Sequence, residues 1–216
     1  MPAIRYKNKK GESVPSVTTV LKALGEGSEG LIYWAWKLGM EGKDYRAERQ
    51  AAADIGTLGH LGIEADISGD PLDVDALDLS EEDKAKVKRC IRGWEEWKDQ
   101  TRLIPVASEL SLVSEEHQFG GTLDVATVYK RTGILDLKTG QGIYPSMLCQ
   151  VAAYGHLWNE AHPDNPIEDY HILRVSKGDA SFHHHHWHAD SMEVPWYTFL
   201  RSMANFHSLK LLKKMV

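Results

Sequence analysis

The segment at residues 119–154 constrains the possible folds most, because two strand-like runs and the first turns of a helix follow one another there. Residues 121–129 alternate with the period of a strand and carry Asp124 among mostly apolar neighbours. Residues 134–138 place Asp136 on one face and two leucines on the other. The short turn between the two runs predicts a β-hairpin.

Two carboxylates meet in this predicted hairpin. Strand pairing brings Asp124 and Asp136 within about 5 to 8 Å of each other if both side chains point the same way. Because two such acids repel each other, we expect a cation between them. Oxygen ligands without a cysteine or a dense histidine cluster favour Mg²⁺ or Mn²⁺ over zinc. Lys138 shares the face of Asp136, where its ammonium would hold an attacking water or neutralise charge on a phosphate, which predicts phosphoryl chemistry.

These residues resemble the RecB-like branch of the PD-(D/E)xK nuclease superfamily. The motifs that carry the resemblance are Gly121-x-x-Asp124, Asp136-Leu137-Lys138 and Gln150-x-x-x-Tyr154. The resemblance implies a restriction-endonuclease-like α/β fold. It also implies that Asp124, Asp136 and the carbonyl of Leu137 bind one or two metal ions, and that Lys138 assists the hydrolysis of a phosphodiester.

The same branch has a histidine in an N-terminal helix and a glutamate in the strand before the first aspartate. His60 follows Gly56 and Gly59 in a helical run, where small residues would allow close approach to the sheet or to DNA. A helical histidine is ordinarily a packed or exposed polar residue, and a strand glutamate ordinarily lies at an exposed edge. The resemblance implies instead that His60 contacts the metal and that Glu109 binds a second ion or water.

Four further residues are candidates for DNA contacts. Gln150 and Tyr154 share one face of a helix that starts near residue 145, where they would bind the DNA backbone or support the catalytic strand. Ser16, a predicted helix cap, and Trp34 belong to an N-terminal pattern that is similar to phage exonucleases related to the mitochondrial genome maintenance exonuclease. Trp34 would stack on bases, which contributes about 1–3 kcal/mol per base, or pack in the core.

Composition excludes several classes of protein. A net charge of −6 argues against a broad surface that coats DNA without specificity. The two cysteines lack metal-binding spacing, which excludes the iron–sulfur version of this nuclease branch. The chain has no apolar run of about 20 residues and no apolar stretch after its basic start. We therefore expect no membrane association and a cytoplasmic location. If a phage encodes the protein, this location is the cytoplasm of the bacterial host.

The remaining pattern predicts one domain, residues 1–216, of the α/β class. Residues 1–100 are predicted to be mainly helical, and residues 101–216 to hold a mixed sheet, the Gln-x-x-x-Tyr helix and a C-terminal helix. A second hairpin at residues 167–188 contains five histidines between positions 183 and 188. Because successive strand residues face opposite ways, we interpret this run as adventitious, binding nickel or zinc weakly, or as a polar outer strand.

The function predicted from these residues is a Mg²⁺- or Mn²⁺-dependent DNA exonuclease that acts on single-stranded ends. A double-strand exonuclease of phage recombination is a second hypothesis. A non-catalytic nucleic-acid binder on the same fold is a third, and it does not account for a lysine beside two acids.

Overall fold

The structure is a computed structural model that describes residues 5–26, 28–128 and 131–216. Tyr129 and Lys130, which belong to the predicted first hairpin, lie outside the described residues. The elements in chain order are β1 (Tyr6–Lys7), β2 (Ser13–Val14), α1 (Val17–Leu21), α2 (Ser28–Met40), α3 (Tyr45–Ser68), α4 (Glu81–Thr101), β3 (Ile104–Ser114), β4 (Phe119–Val128), β5 (Thr132–Lys138), α5 (Pro145–Ala161), β6 (Asp169–Val175), β7 (Phe182–His188) and α6 (Glu193–Leu212).

The centre of the fold is a five-stranded sheet in the order β3-β4-β5-β6-β7. Neighbouring strands are antiparallel except for β5 and β6, which are parallel. A parallel pair needs a crossover connection, and α5 provides it. Helices cover both faces of this mixed sheet, so the predicted α/β class, with a mixed sheet core and a helical N-terminal third, is confirmed. This arrangement is consistent with the predicted restriction-endonuclease-like fold.

Two hydrophobic layers hold the helices on the sheet. On one face α1, α5 and α6 pack through a cluster that includes Phe119, Leu123, Ile134, Leu157 and Phe199. On the other face α3 and α4 pack through a cluster whose members include Ile63, Trp94, Trp97, Leu135 and Leu173. Side chains of this size contribute about 1.5–3 kcal/mol each when fully buried, so both layers anchor the strands between them.

Helix starts follow the sequence closely. The Ser80 hydroxyl accepts the Asp83 N–H (3.1 Å) and donates to the Asp83 carboxylate (2.9 Å), so it caps the start of α4. Ser16 likewise accepts the Thr19 N–H at the start of α1, over 3.1 Å. The predicted cap at Ser16 is confirmed. No helix in the described ranges has the length and apolar character needed to cross a membrane.

Regular alternation along a strand at Glu109 would place its side chain on the same face as Ala107 and Ser111, and this expectation from the sequence is wrong. Glu109 adopts a left-handed backbone with φ 51°, and Ala107 and Leu110, three residues apart, pack against the same core cluster. Glu109 therefore does not share a regular strand face with Ala107 and Ser111, because the left-handed residue rotates the chain between them. A positive φ at a non-glycine residue is uncommon and is found at functional sites.

Candidate active site

A cleft of about 530 Å³ opens between α3 and the C-terminal end of β5. Six of the residues predicted from the sequence line it: His60, Glu109, Asp124, Leu137, Lys138 and Gln150. They come from α3, β3, β4, β5 and α5, so the cleft exists only in the folded chain. Of the other predicted residues, Asp136 is fully buried and Tyr154 is hydrogen-bonded to Gln150.

Asp124 lies where the pairing of β4 with β5 stops. The last backbone pair recorded between these strands at this end joins Val125 and Leu135. One residue further, the Asp124 carboxylate accepts the Leu137 N–H through Oδ2 at 2.8 Å. His60 Nδ1 is 3.8 Å from the same oxygen, too far for a hydrogen bond. Asp124 is therefore fixed by the backbone of β5, with one oxygen left for another ligand.

Asp136 has no exposed surface, and its charge is only partly compensated. Lys138 Nζ is 2.5 Å from Oδ2, yet neither oxygen accepts a well-aligned hydrogen bond from the described residues. Burial raises the pKa of Asp136 to about 7; the Lys138 ammonium opposes this shift and the Asp124 carboxylate adds to it. A fully buried carboxylate with a single cationic partner and a second carboxylate nearby is costly, so this group calls for a further positive charge.

The Lys138 side chain is hydrogen-bonded to a residue of α5. Its ammonium donates to Gln150 Oε1 at 3.1 Å, and Gln150 Nε2 donates to the Tyr154 hydroxyl at 2.9 Å. Burial acts to lower the pKa of Lys138, but Asp136 and Asp124 outweigh it and the pKa is raised, so the lysine stays charged. Burial raises the pKa of Tyr154 well above its usual value, and the buried phenol stays neutral. The geometry makes Tyr154 a support for Lys138 and leaves Gln150 at the cleft surface.

Glu109 of β3 lies beside Asp124 of β4, between the pairs Ser108–Val125 and Leu110–Leu123, and both residues line the cleft. Partial burial raises the pKa of Glu109 to about 7, with smaller contributions from the carboxylates of Asp124 and Glu64. The residue is exposed, so solvent screens part of this repulsion and the upward direction is the relevant result. Several acids therefore face one cavity, as expected where a cation binds.

Small residues allow α3 to approach the sheet as the sequence predicts. A Cβ on Gly56 would lie 2.9 Å from Thr139 Oγ1, just beyond β5, and a Cβ on Gly59 would lie 3.1 Å from Cys90 Cβ on α4. Real Cβ contacts are rarely this short, so a larger residue at either position would push α3 and His60 outwards. Three glycines inside one helix are thus offset by close packing.

Ser16 and Trp34 do not line this cleft. The Ser16 hydroxyl serves as the cap of α1, and Trp34 is half-buried on α2. A second cleft of about 480 Å³ shares Lys138 and Gln150 with the first and extends to Thr18, Lys22 and Glu26. Sequence reasoning missed those last three residues, because nothing in their spacing connects them with the strand of Lys138.

The charges around Asp124 and Asp136 favour a bound divalent ion, but the distances among the candidate ligand atoms are longer than in a compact metal site. The buried carboxylate of Asp136, paired only with Lys138 among the described residues, and the repulsion from Asp124 call for a further cation. In the described residues, however, no three ligand atoms from His60, Glu109, Asp124 and Asp136 lie within 4.8 Å of one another. The fit therefore depends on the two aspartates with the Leu137 carbonyl, beside which His60 Nδ1 lies 3.8 Å from Asp124 Oδ2.

Comparisons with known proteins give only remote likenesses. No model of a protein family matches the chain, and no curated protein matches it. Its structure is similar to the alkaline exonuclease LHK-Exo from Laribacter hongkongensis in complex with dAMP: TM-score 0.43, 12% identity, 94% of this chain and 95% of that chain covered. A second structure of the same exonuclease has a TM-score of 0.34 and 13% identity, with 57% of this chain and 70% of that chain covered. Shared activity does not follow from similarity at this level.

Proposed function

We propose that the chain is a metal-dependent nuclease, a DNA exonuclease that hydrolyses phosphodiester bonds. The observation that carries the proposal is the fully buried carboxylate of Asp136, whose one close cation among the described residues is Lys138 and which the nearby Asp124 carboxylate repels. A chain that needed only stability would not retain this group, because apolar side chains of similar volume are often equal or better there. Buried acids of this kind cluster at functional sites.

Asp124, Asp136 and the Leu137 carbonyl would hold Mg²⁺ or Mn²⁺, since all of these ligands are hard oxygens. When bound, such an ion supplies Lewis-acid charge for the phosphate and lowers the pKa of water. The ammonium of Lys138, oriented by Gln150, would neutralise charge developing on the scissile phosphate. Glu109 and His60, on opposite walls of the cleft, would bind water or assist a second ion.

A single strand is the substrate that the surface supports best. The two clefts meet at Lys138 and Gln150, which gives an open path between α3 and α1 on either side of the lysine. Lys22 lines the far part of this path and offers a cation to a phosphate. On α2, Tyr33 and Trp36 are exposed, as stacking platforms for bases would be, and half-buried Trp34 lies between them.

The test uses single- and double-stranded DNA labelled at the 5′ or the 3′ end, with Mg²⁺, Mn²⁺ or a chelator. We expect metal-dependent release of nucleotides from single-stranded ends. Asp136→Asn and Asp124→Asn should each lower the rate by at least about 100-fold, as the loss of a group that stabilises transition-state charge does. The matched control is Asp75→Asn, which changes an exposed acid far from the cleft, and it should keep full activity.

The outcomes separate the hypotheses. Full activity of Asp136→Asn, with an unchanged circular-dichroism spectrum, would exclude the proposed site. Faster digestion of double-stranded DNA would favour the recombination exonuclease. Tight DNA binding without hydrolysis in any metal would favour the non-catalytic binder.

A further inference from the structure

A second group of metal-ligating side chains lies on the two last strands of the sheet. The register of β6 and β7 sets Asp169 opposite His188 and His171 opposite His186. His184 lies on the same side and meets Trp97 of α4 edge to face, with ring centroids 5.5 Å apart. Strand alternation divides the histidines at positions 183–188 between the two faces of β7. On one of these faces, β6 adds Asp169 and His171.

The ligand atoms of this group are already close together. Asp169 Oδ1 accepts hydrogen bonds from His188 Nδ1 (2.6 Å) and from His186 Nε2 (2.9 Å). One ligand atom from each of these residues lies within 4.8 Å of the others, and no other such trio occurs in residues 5–26, 28–128 and 131–216. Four-coordinate zinc with ligand bonds of about 2.0–2.2 Å separates its ligand atoms by roughly 3.3 Å. Small side-chain shifts would therefore admit an ion.

We propose that Asp169, His186 and His188 bind a transition-metal dication of the Zn²⁺ class. Two imidazoles and one carboxylate form a donor set that suits zinc and its neighbours and disfavours Mg²⁺, which takes oxygen ligands. On binding, each imidazole would use the ring nitrogen that now faces Asp169 Oδ1, and the proton on that nitrogen moves to the other ring nitrogen, so both ligands stay neutral imidazoles. The fourth position stays open to water.

The neighbouring side chains support the site. His171 and His184 contact each other through Nδ1 and Nε2 at 3.0 Å, and His171 stacks on His186 with ring centroids 4.7 Å apart. This packing orients His186. Arg131 is the one nearby cation in the described part of the chain, with Nη1 3.5 Å from His188 Nδ1, and its Nε lies 3.7 Å from a Glu168 carboxylate oxygen. Glu168 offsets its charge.

This site is separate from the nuclease cleft. Asp169 pairs with Gly133 at the start of β5, and Arg174 pairs with Lys138 at its end. At about 3.3 Å per residue the two sites lie roughly 17 Å apart along the strand. Because β7 is the edge strand of the sheet, an ion shared between β6 and β7 would fasten that edge.

The experiment is a Zn²⁺ titration of the full chain, purified without an affinity tag and stripped with a chelator, in competition with a chromogenic zinc indicator. We expect one Zn²⁺ per chain at this site, undisturbed by millimolar Mg²⁺. His188→Gln, which changes an exposed side chain, should weaken binding by at least about 100-fold, as should Asp169→Asn. Asp124→Asn should not change it. Co²⁺ in place of Zn²⁺ should give the visible absorption of a four-coordinate site.

The matched control is His183→Gln with His185→Gln, two exposed histidines on the other face of β7. This double variant should bind Zn²⁺ with unchanged affinity. The proposal is overturned if the wild type shows no saturable binding, if His188→Gln binds as tightly as the wild type, or if the control variant loses affinity to the same extent.

Discussion

Replacing Lys138 with methionine should destabilise the metal-free protein strongly. The substitution keeps the length of the side chain and removes the one cation that lies against Asp136 in the described structure. Asp136 has no exposed surface, so water cannot take over from the lost ammonium. Removing one partner of a buried ion pair costs about 3–5 kcal/mol, because the remaining charge stays buried and uncompensated.

The size of the effect should depend on pH. Burial holds the pKa of Asp136 near 7, and loss of Lys138 raises it further, because the ammonium now acts to lower it. Below this pKa the carboxyl is neutral and the variant has no buried charge. The loss of stability should therefore grow as the pH rises above about 7, reach its full size only above the raised pKa of Asp136 in the variant, and shrink as the pH falls towards 5.

Urea denaturation and thermal unfolding in a chelator measure the effect. At about 2–4 °C per kcal/mol for a chain of this size, Lys138→Met should lower Tm by about 6–20 °C at an alkaline pH at which Asp136 is ionised in the variant, and by less near pH 8. Lys88→Met is the matched control: it breaks a solvent-exposed pair with Asp75 and should leave Tm nearly unchanged. Adding Asp136→Asn to Lys138→Met should restore most of the stability. A Lys138→Met protein as stable as the wild type, or no recovery in the double variant, would refute the reasoning.

Three further predictions concern packing and titration. Gly93→Ala would put a Cβ 2.7 Å from the Ala180 carbonyl oxygen and should cost about 1–3 kcal/mol in urea denaturation, whereas Gly39→Ala, with nothing within 4 Å, should be neutral or stabilising. Asp66→Ala leaves the buried Trp94 Nε1–H without its 2.7 Å acceptor and removes the partner of Lys98, which should lower the unfolding free energy by about 1–3 kcal/mol. Burial, with a smaller contribution from His117, lowers the pKa of His156 to about 4, below the pKa of about 6.5 in the unfolded chain. The stability that the neutral His156 side chain contributes is therefore present above about pH 6.5 and is lost as the pH falls towards 4. His156→Phe, which retains a ring beside Trp196, should flatten that part of the stability profile relative to the wild type.

The parts of the site that could be predicted from sequence are those that depend on local spacing. Asp136 and Lys138 are two residues apart on one strand, and Gln150 and Tyr154 are one helical turn apart. The periods of a strand and of a helix therefore suffice to place both side chains of each pair on the same face. Helix caps at Ser16 and Ser80 are local for the same reason. The approach of α3 was also foreseeable, because glycines inside a helix need a reason to be there.

The remaining features arise from contacts distant in sequence. The left-handed backbone at Glu109 depends on how β3 is forced to pair with β4, and a single glutamate in a strand gives no sign of it. The group around Asp169 depends on the register between β6 and β7, and a shift by one residue would move His186 and His188 to the other face. Lys22 reaches the second cleft only because α1 packs against α5.

One change of strand direction accounts for the arrangement of the proposed active site. At β5 the sheet changes from antiparallel to parallel pairing, and the recorded pairs with β4 at this end stop at Val125. The Leu137 N–H, which a continued ladder would use, binds the Asp124 carboxylate instead, so a crevice opens at the carboxyl end of β5. Ligand crevices in α/β sheets form where strand connections diverge in this way. Because the parallel pairing of β5 with β6 requires a crossover, α5 packs next to Lys138 and brings Gln150 within hydrogen-bonding distance of it. The positions of the two aspartates, of Lys138 and of Gln150 therefore all depend on the change from antiparallel to parallel pairing at β5.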